Sequence, residues 1–411
     1  MRRSVPLLLG LGLVLVGCTV AGPRPGDRPA PEVEGPSAEP SVRVGLVVDA
    51  GSVELDGTDR LELVDAAGRV RADGPGPWTV TAADGEVEAR GPDGAIRVGG
   101  TLVARPVSGR VRMDGKSYRG AVLLRPSASG ITAVNLLELE MYLLGVVPLE
   151  IGAGRPPEEL AAVKAQAIAA RTYAVRHMGR REKLGFDFYG SVLDQVYGGL
   201  DAEDPVSSRA VRETRGEVLV HDDEPIEAFY HSTCGGRTAA LEEVWPGEPR
   251  PYLRSVSDRR PDGGWYCESS NRFRWTERWD DEALRATLTL ALRSRGHSGT
   301  VTAVEAVDVT DRTESGRAAE VRIRTNMGDE LVHGDSIRRV LRPEPGRILN
   351  STAIRVETHG GPGTGLTVEG AGWGHGIGMC QIGAVGRARA GQTYREILVT
   401  YYPGTRIARL Y

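Results

Sequence analysis

The chain has 411 residues, a formal net charge of −4, 40% hydrophobic and 26% charged residues, and 4 cysteines. This composition suits a globular protein of two or three domains; it excludes a disordered chain, a disulfide-built scaffold and a strongly basic nucleic-acid binder. The 54 glycines point to many tight turns.

Arg2 and Arg3 precede an apolar run over residues 5–16, too short to cross a bilayer as a lasting helix. A basic start, a short apolar run and small residues at its end are the parts of a secretory signal. The run closes Leu15-Val16-Gly17-Cys18, which looks like a bacterial lipobox with Cys18 as the lipidated residue. The expected location is therefore outside the cytoplasm, on the periplasmic face or outer surface, with the membrane reached through a lipid anchor rather than a span. Residues 19–40, dominated by proline, glycine, alanine and acids, read as an extended tether.

From residue 41 the pattern becomes short alternations. Val42, Val44, Leu46 and Val48 alternate with Arg43, Gly45 and Val47, the period of a half-buried strand. Turn signals at Asp56-Gly57, Asp84-Gly85, Asp93-Gly94 and Asp114-Gly115 predict a meandering antiparallel sheet to about Val134.

Residues 136–173 hold two helical patterns flanking a break at 152–157. Pro156 and Pro157 suit the first turn of the second helix, and Glu158 and Glu159 suit its positive end. That helix is predicted to reach about Arg181. It carries small residues (Ala167, Ala170, Ala174) on one face, and Lys164 and Arg171 share another side. Glu150 sits at the break between Leu149 and Ile151. A carboxyl with apolar neighbours at a helix end is a candidate general acid of raised pKa.

Further on, a strand is predicted over residues 226–230, a helix near 281–293, and alternating strands such as Val321-Arg322-Ile323-Arg324. Trp265, Trp275 and Trp279 fall close together, and residues 392–402 read as a final helix ended by Pro403-Gly404. The predicted fold class is α+β. A β-rich N-terminal portion (residues 41–135) with antiparallel strands precedes central helices and a mixed α+β C-terminal portion, the last two making up residues 136–411.

Several ordered motifs carry a family resemblance. They include Leu139-Glu140-x-Tyr142-Leu143-x-Gly145-Val146-Val147-Pro148-x-Glu150, Lys164-Ala165-Gln166-Ala167-x-Ala169-Ala170-Arg171-Thr172-Tyr173 and Asp194-Gln195-Val196-Tyr197-Gly198-Gly199. Tyr230-His231-Ser232-Thr233-Cys234-Gly235-Gly236-x-Thr238, Val244-Trp245, Gly372-Trp373-Gly374-His375-Gly376-Ile377-Gly378-Met379 and Tyr401-Tyr402-Pro403-Gly404-Thr405 follow in order. Together they resemble the stage II sporulation protein D family, also called the amidase-enhancer domain family, over roughly residues 41–411.

The resemblance implies a lytic transglycosylase of peptidoglycan glycan strands, with Glu150 as its single catalytic acid/base. An ordinary glycosidase needs a second carboxylate. Here the sugar's own 6-hydroxyl would attack, leaving a 1,6-anhydro-N-acetylmuramoyl end, and no cofactor or metal is expected. Arg171, Tyr173, Asp194, Gln195, Tyr197, His231, Ser232, His375 and Gln381 are the implied substrate-binding residues, with Asp194 a reserve second carboxylate. The other implied role is that of a non-catalytic module that binds glycan and activates a partner cell-wall amidase.

The chain departs from the family pattern at Met141, Leu149 and Cys380-Gln381-Ile382. His231, Cys234 and Cys267 offer three zinc ligands without an obvious fourth, whereas structural zinc normally has four. A Cys234–Cys267 disulfide fits an exported protein more simply, and free thiols are the third option.

Overall fold

The computed structural model describes residues 38–57, 60–358 and 365–411. The signal, Cys18 and most of the tether lie outside the described residues. Among those described, no helix is long and apolar enough to cross a membrane.

The N-terminal portion is two sheets, not the single meander expected. A seven-stranded sheet runs Phe188–Tyr189, Ser41–Ala50, Ile131–Glu138, Ala121–Pro126, Leu102–Pro106, Leu61–Asp65, Val70–Gly74. A six-stranded sheet runs Lys116–Tyr118, Val111–Met113, Val53–Gly57, Trp78–Ala83, Glu86–Gly91, Gly94–Gly99. Alternate side chains of both sheets, Leu61, Leu63, Leu102 and Val122 from one and Leu55, Trp78, Val80 and Val87 from the other, are buried in one core. Such two-faced burial is what alternating strands require when sheets stack. Asp84-Gly85 and Asp114-Gly115 form the expected two-residue hairpin turns, with φ of 54° and 78°, and 48° and 79°. Asp56-Gly57 instead ends a strand, and the third hairpin turns one residue early because Gly91 pairs with Gly94.

The strand Ile131–Glu138 passes without a loop into α1, Leu139–Ile151. The domain boundary expected at residue 135 thus falls within a strand, and the sandwich shares its core with the helices. After the break comes α2, Leu160–His177, whose alanines at 162, 165, 167, 169, 170 and 174 are all fully buried. Every residue from Ala165 to Ala174 is buried, Gln166, Arg171 and Thr172 included, which places the helix inside the fold; α2 packs on α1, on α3 (Pro205–Glu213), and on two C-terminal helices. It stops four residues short of Arg181, because Met178 leaves the helical region and Gly179 turns with φ of 76°.

The C-terminal portion contains α4 (Asp281–Ser294), α5 (Ser336–Val340), α6 (Gln381–Arg389) and α7 (Tyr394–Tyr401). Two three-stranded sheets, one with Trp275–Trp279, Ile354–Thr358 and Leu366–Gly370 and one with Val304–Arg312, Ala318–Thr325 and Gly328–His333, join α4 and α5 around a second core. Trp275 and Trp279 belong to that core, whereas Trp265 lies apart, against Gly236 and Arg259. The strand expected at 226–230 is reduced to Tyr230–His231, which pairs in parallel with Met379–Cys380. That small pair brings the two ends of the sequence motifs together.

Candidate active site

Glu150 lies in the last turn of α1, which Gly152 closes at φ of 94°. One carboxylate oxygen, Oε1, accepts the Val196 N–H at 3.0 Å. The side chains of Gln381 and Tyr230 also hydrogen-bond the carboxylate. All three donors favour the charged form, yet burial outweighs them and raises the Glu150 pKa above the usual carboxylate value. The flanking side chains divide the work: Ile151 is buried, while Leu149 is 46% exposed and packs toward Gly198.

The donors are themselves held. Gln195 is 1% exposed; its Oε1 accepts from the Tyr142 hydroxyl at 3.2 Å and its Nε2 donates to the Tyr230 hydroxyl oxygen at 2.9 Å. With its oxygen already accepting, Tyr230 has its own proton for Glu150. Gln381, the first residue of α6, donates to Gln166 Oε1 at 3.4 Å. Tyr230 is positioned from behind by His375, whose Nδ1 accepts from the Ile377 N–H at 3.1 Å, so that Nε2 donates to the Tyr230 carbonyl at 2.9 Å. Both ring nitrogens are thereby used, and burial depresses the His375 pKa to about 4, leaving a neutral positioning group.

Beside this network opens a cleft of about 390 Å³ lined by Tyr173, Arg180, Val192, Leu193, Asp194, Phe229, Tyr230, Trp245 and His375. Its wall is aromatic: Phe229 meets Trp245 edge-on at 5.0 Å, and Trp245 lies 4.8 Å from His375. Trp245 also lines a neighbouring groove of about 660 Å³ with His333, Asp335, Ser336 and Arg339. Val192 and Leu193, 87% and 65% exposed, form the lip. Asp194 accepts from Arg181 at 2.8 Å and from the Tyr189 N–H at 2.9 Å.

The structure thus brings Tyr173, Asp194, Gln195, His375 and Gln381 to the cleft or to the Glu150 network, and removes others. Arg171 is fully buried, its Nε and Nη2 paired with Glu140 at 2.7 and 2.8 Å, and Nη1 donating to the Glu217 carbonyl at 3.1 Å. It is a structural ion pair out of reach of any ligand. Tyr197 is 7% exposed, its ring against Gly145 and its hydroxyl donating to Asn135 at 2.7 Å. It anchors the loop that supplies the Val196 N–H. His231 is buried with Nδ1 donating to the Ile377 carbonyl at 3.1 Å, while the Ser232 hydroxyl meets that of Thr233 and its carbonyl accepts from the Ile382 N–H and lies 3.7 Å from Cys380 Sγ. The Cys234–Cys267 disulfide is corrected too: both are free thiols, with sulfurs 3.5 Å apart. Tyr230, Phe229 and Trp245 were missed as site residues, although Tyr230 and Trp245 stand inside quoted motifs.

A half-buried carboxyl of raised pKa with donors on it, beside an aromatic cleft, makes this the candidate active site. Comparison with known proteins places the chain further. Residues 127–221 match the family model described as stage II sporulation protein, and residues 261–378 one described as a domain of unknown function (DUF8618). An uncharacterized protein of Brachyspira hyodysenteriae is 32% identical over 296 residues, covering 72% of this chain and 73% of that protein. Stage II sporulation protein D of Bacillus subtilis is 30% identical, covering 67% of this chain and 76% of its own length. The amidase enhancer of Bacillus subtilis is also 30% identical, over 72% of this chain, which spans 45% of that longer protein. The chain belongs to the stage II sporulation protein D family.

Proposed function

We propose that this protein is a lytic transglycosylase of bacterial peptidoglycan glycan strands. The observation that carries the reading is Glu150: a carboxyl of raised pKa, held by Val196, Tyr230 and Gln381 beside the aromatic cleft. In this reading the protonated Glu150 gives its proton to the glycosidic oxygen as that bond breaks. The carboxylate so formed is stabilised by its three donors. It then takes the proton of the muramoyl 6-hydroxyl as that oxygen bonds to the anomeric carbon, so the acid is regenerated and a 1,6-anhydro end is left. No water is consumed, and the pinned Asp194 is not needed as a second catalytic group. The rings of Trp245, Phe229 and Tyr173 suit stacking against sugar faces.

The test is product mass: purified protein incubated with peptide-free glycan strands should release 1,6-anhydro ends, and Glu150→Gln should release none. Equal activity of the variant would remove Glu150 from its role. Similarity to an amidase enhancer supports a second reading, glycan binding that activates a cell-wall amidase. Absence of cleavage by either form, with acceleration of an added amidase, would favour it.

A further inference from the structure

Away from the cleft, the chain gathers its three described cysteines and one aspartate at a single point. Cys234 lies in the turn after Tyr230–His231, Asp258 and Cys267 come from the loops before Trp275–Trp279, and Cys380 caps the N-terminus of α6. All four are at most 2% exposed. One ligand atom from each lies within 4.8 Å of all the others.

We propose that Cys234, Cys267, Cys380 and Asp258 form a closed four-ligand site for a divalent, thiolate-seeking cation of the zinc class. Zinc–sulfur and zinc–oxygen bond lengths put tetrahedral neighbours about 3.5–3.8 Å apart. The Cys234–Cys267 sulfurs are 3.5 Å apart, and Cys234 Sγ is 3.6 Å from Asp258 Oδ2. The surroundings are those of ligands rather than of spare thiols. Cys380 Sγ accepts the N–H groups of Cys234 and Gly383, each at 3.2 Å, and Cys234 Sγ accepts the Gly236 N–H at 3.4 Å. Asp258 uses its other oxygen, Oδ1, to accept from the Tyr401 hydroxyl at 2.7 Å and from Arg387 at 3.2 Å. Oδ2 is thereby aimed at the sulfurs, the outer bonding that orients a ligating carboxylate. Position 383 is glycine because a Cβ there would come within 2.6 Å of Oδ2 and 2.1 Å of the Tyr401 oxygen.

Charge supports the same assignment. Three thiolates and a carboxylate against a divalent cation leave two negative charges, and two buried guanidiniums stand by. Arg387 is bonded to Asp258, and fully buried Arg317 donates to the Cys234 carbonyl at 3.2 Å. Soft thiolate donors select zinc over magnesium or calcium. With four protein ligands no position is left for substrate, so the ion is structural. It ties the turn after Tyr230 to the start of α6, and so sets where Tyr230 and Gln381 meet Glu150. The metal assignment itself does not depend on the catalytic reading.

Full-length protein purified without chelator, with zinc and a mild reductant present, should carry one zinc per chain by elemental analysis. The thiols of Cys234, Cys267 and Cys380 should resist a thiol reagent, as read by peptide mapping, until chelator and denaturant are added. Cobalt(II) replacing the zinc should give sulfur-to-cobalt charge transfer and the intense visible bands of a tetrahedral thiolate site. Cys380→Ser and Asp258→Asn should each weaken cobalt binding at least about tenfold, and the unaltered protein's spectrum carries the test if either variant misfolds. Metal-free protein with a Cys234–Cys267 disulfide in the non-reducing peptide map overturns the proposal. So does cobalt binding that both substitutions leave unchanged.

Discussion

Glu150 titrates against its burial. Its raised pKa means that the folded state binds the proton more tightly than the unfolded chain. The associated stability is complete below the unfolded carboxyl value and is lost as pH rises through the folded one. Glu150→Gln should therefore melt together with the wild type near pH 4 and above it near pH 8, as read by calorimetry. Activity, which needs the protonated acid, should fall on the alkaline side. Tyr230→Phe removes a donor that favours the carboxylate, so the alkaline limb should move upward while the maximal rate drops about tenfold or more. A pH–rate profile of the two proteins checks both signs. Arg171 belongs to the same scale for the opposite reason: it is highly polar, inside the motif, and entirely structural. Arg171→Met would leave Glu140 buried without its cation, although the Gly216 N–H and the Tyr411 hydroxyl remain on it. A loss of about 3–5 kcal/mol in urea unfolding is expected.

Among the elements, the junction of α1 with the loop of residues 194–199 decides whether Glu150 has its backbone donor. The helix can come close enough only because residue 145 lacks a side chain. A Cβ on Gly145 would lie 2.7 Å from the Tyr197 ring and 2.8 Å from the Gly199 carbonyl. Gly145→Ala should cost about 1–3 kcal/mol and lower activity further than stability alone explains, because Val196 is displaced with the loop. Thermal melts alongside turnover on glycan strands separate the two effects. The same junction shows why the helices were readable and their partners were not. The break at residues 152–157 is written in neighbouring glycines and prolines, whereas Tyr197 reaches Asn135 across 62 positions of sequence.

For the whole molecule, the sandwich and the helices form one core, and the lobe around Trp275 and Trp279 forms another. Among the described residues no helix is long and apolar enough to cross a membrane, and the anchor expected at Cys18 is tested in cells. Cys18→Ser should shift the protein from the membrane fraction to the soluble exported fraction without changing the activity of the purified body.

Local spacing alone determined the strand periods, the hairpin turns at Asp84-Gly85 and Asp114-Gly115, the helix break, and the α4 and α7 segments. Each of these is a matter of residues within one or two turns of each other, whereas Glu150 was singled out from other acids by the family resemblance of the ordered motifs around it. Tertiary structure alone decided that the strands form two stacked sheets, that Arg171 pairs with Glu140, and that Tyr197 faces inward. It also brought Cys380 to Cys234 from 146 positions away, next to Asp258. Such pairings follow from which buried faces can be packed together without leaving a charge or donor unpaired, a condition that no single stretch of sequence states by itself.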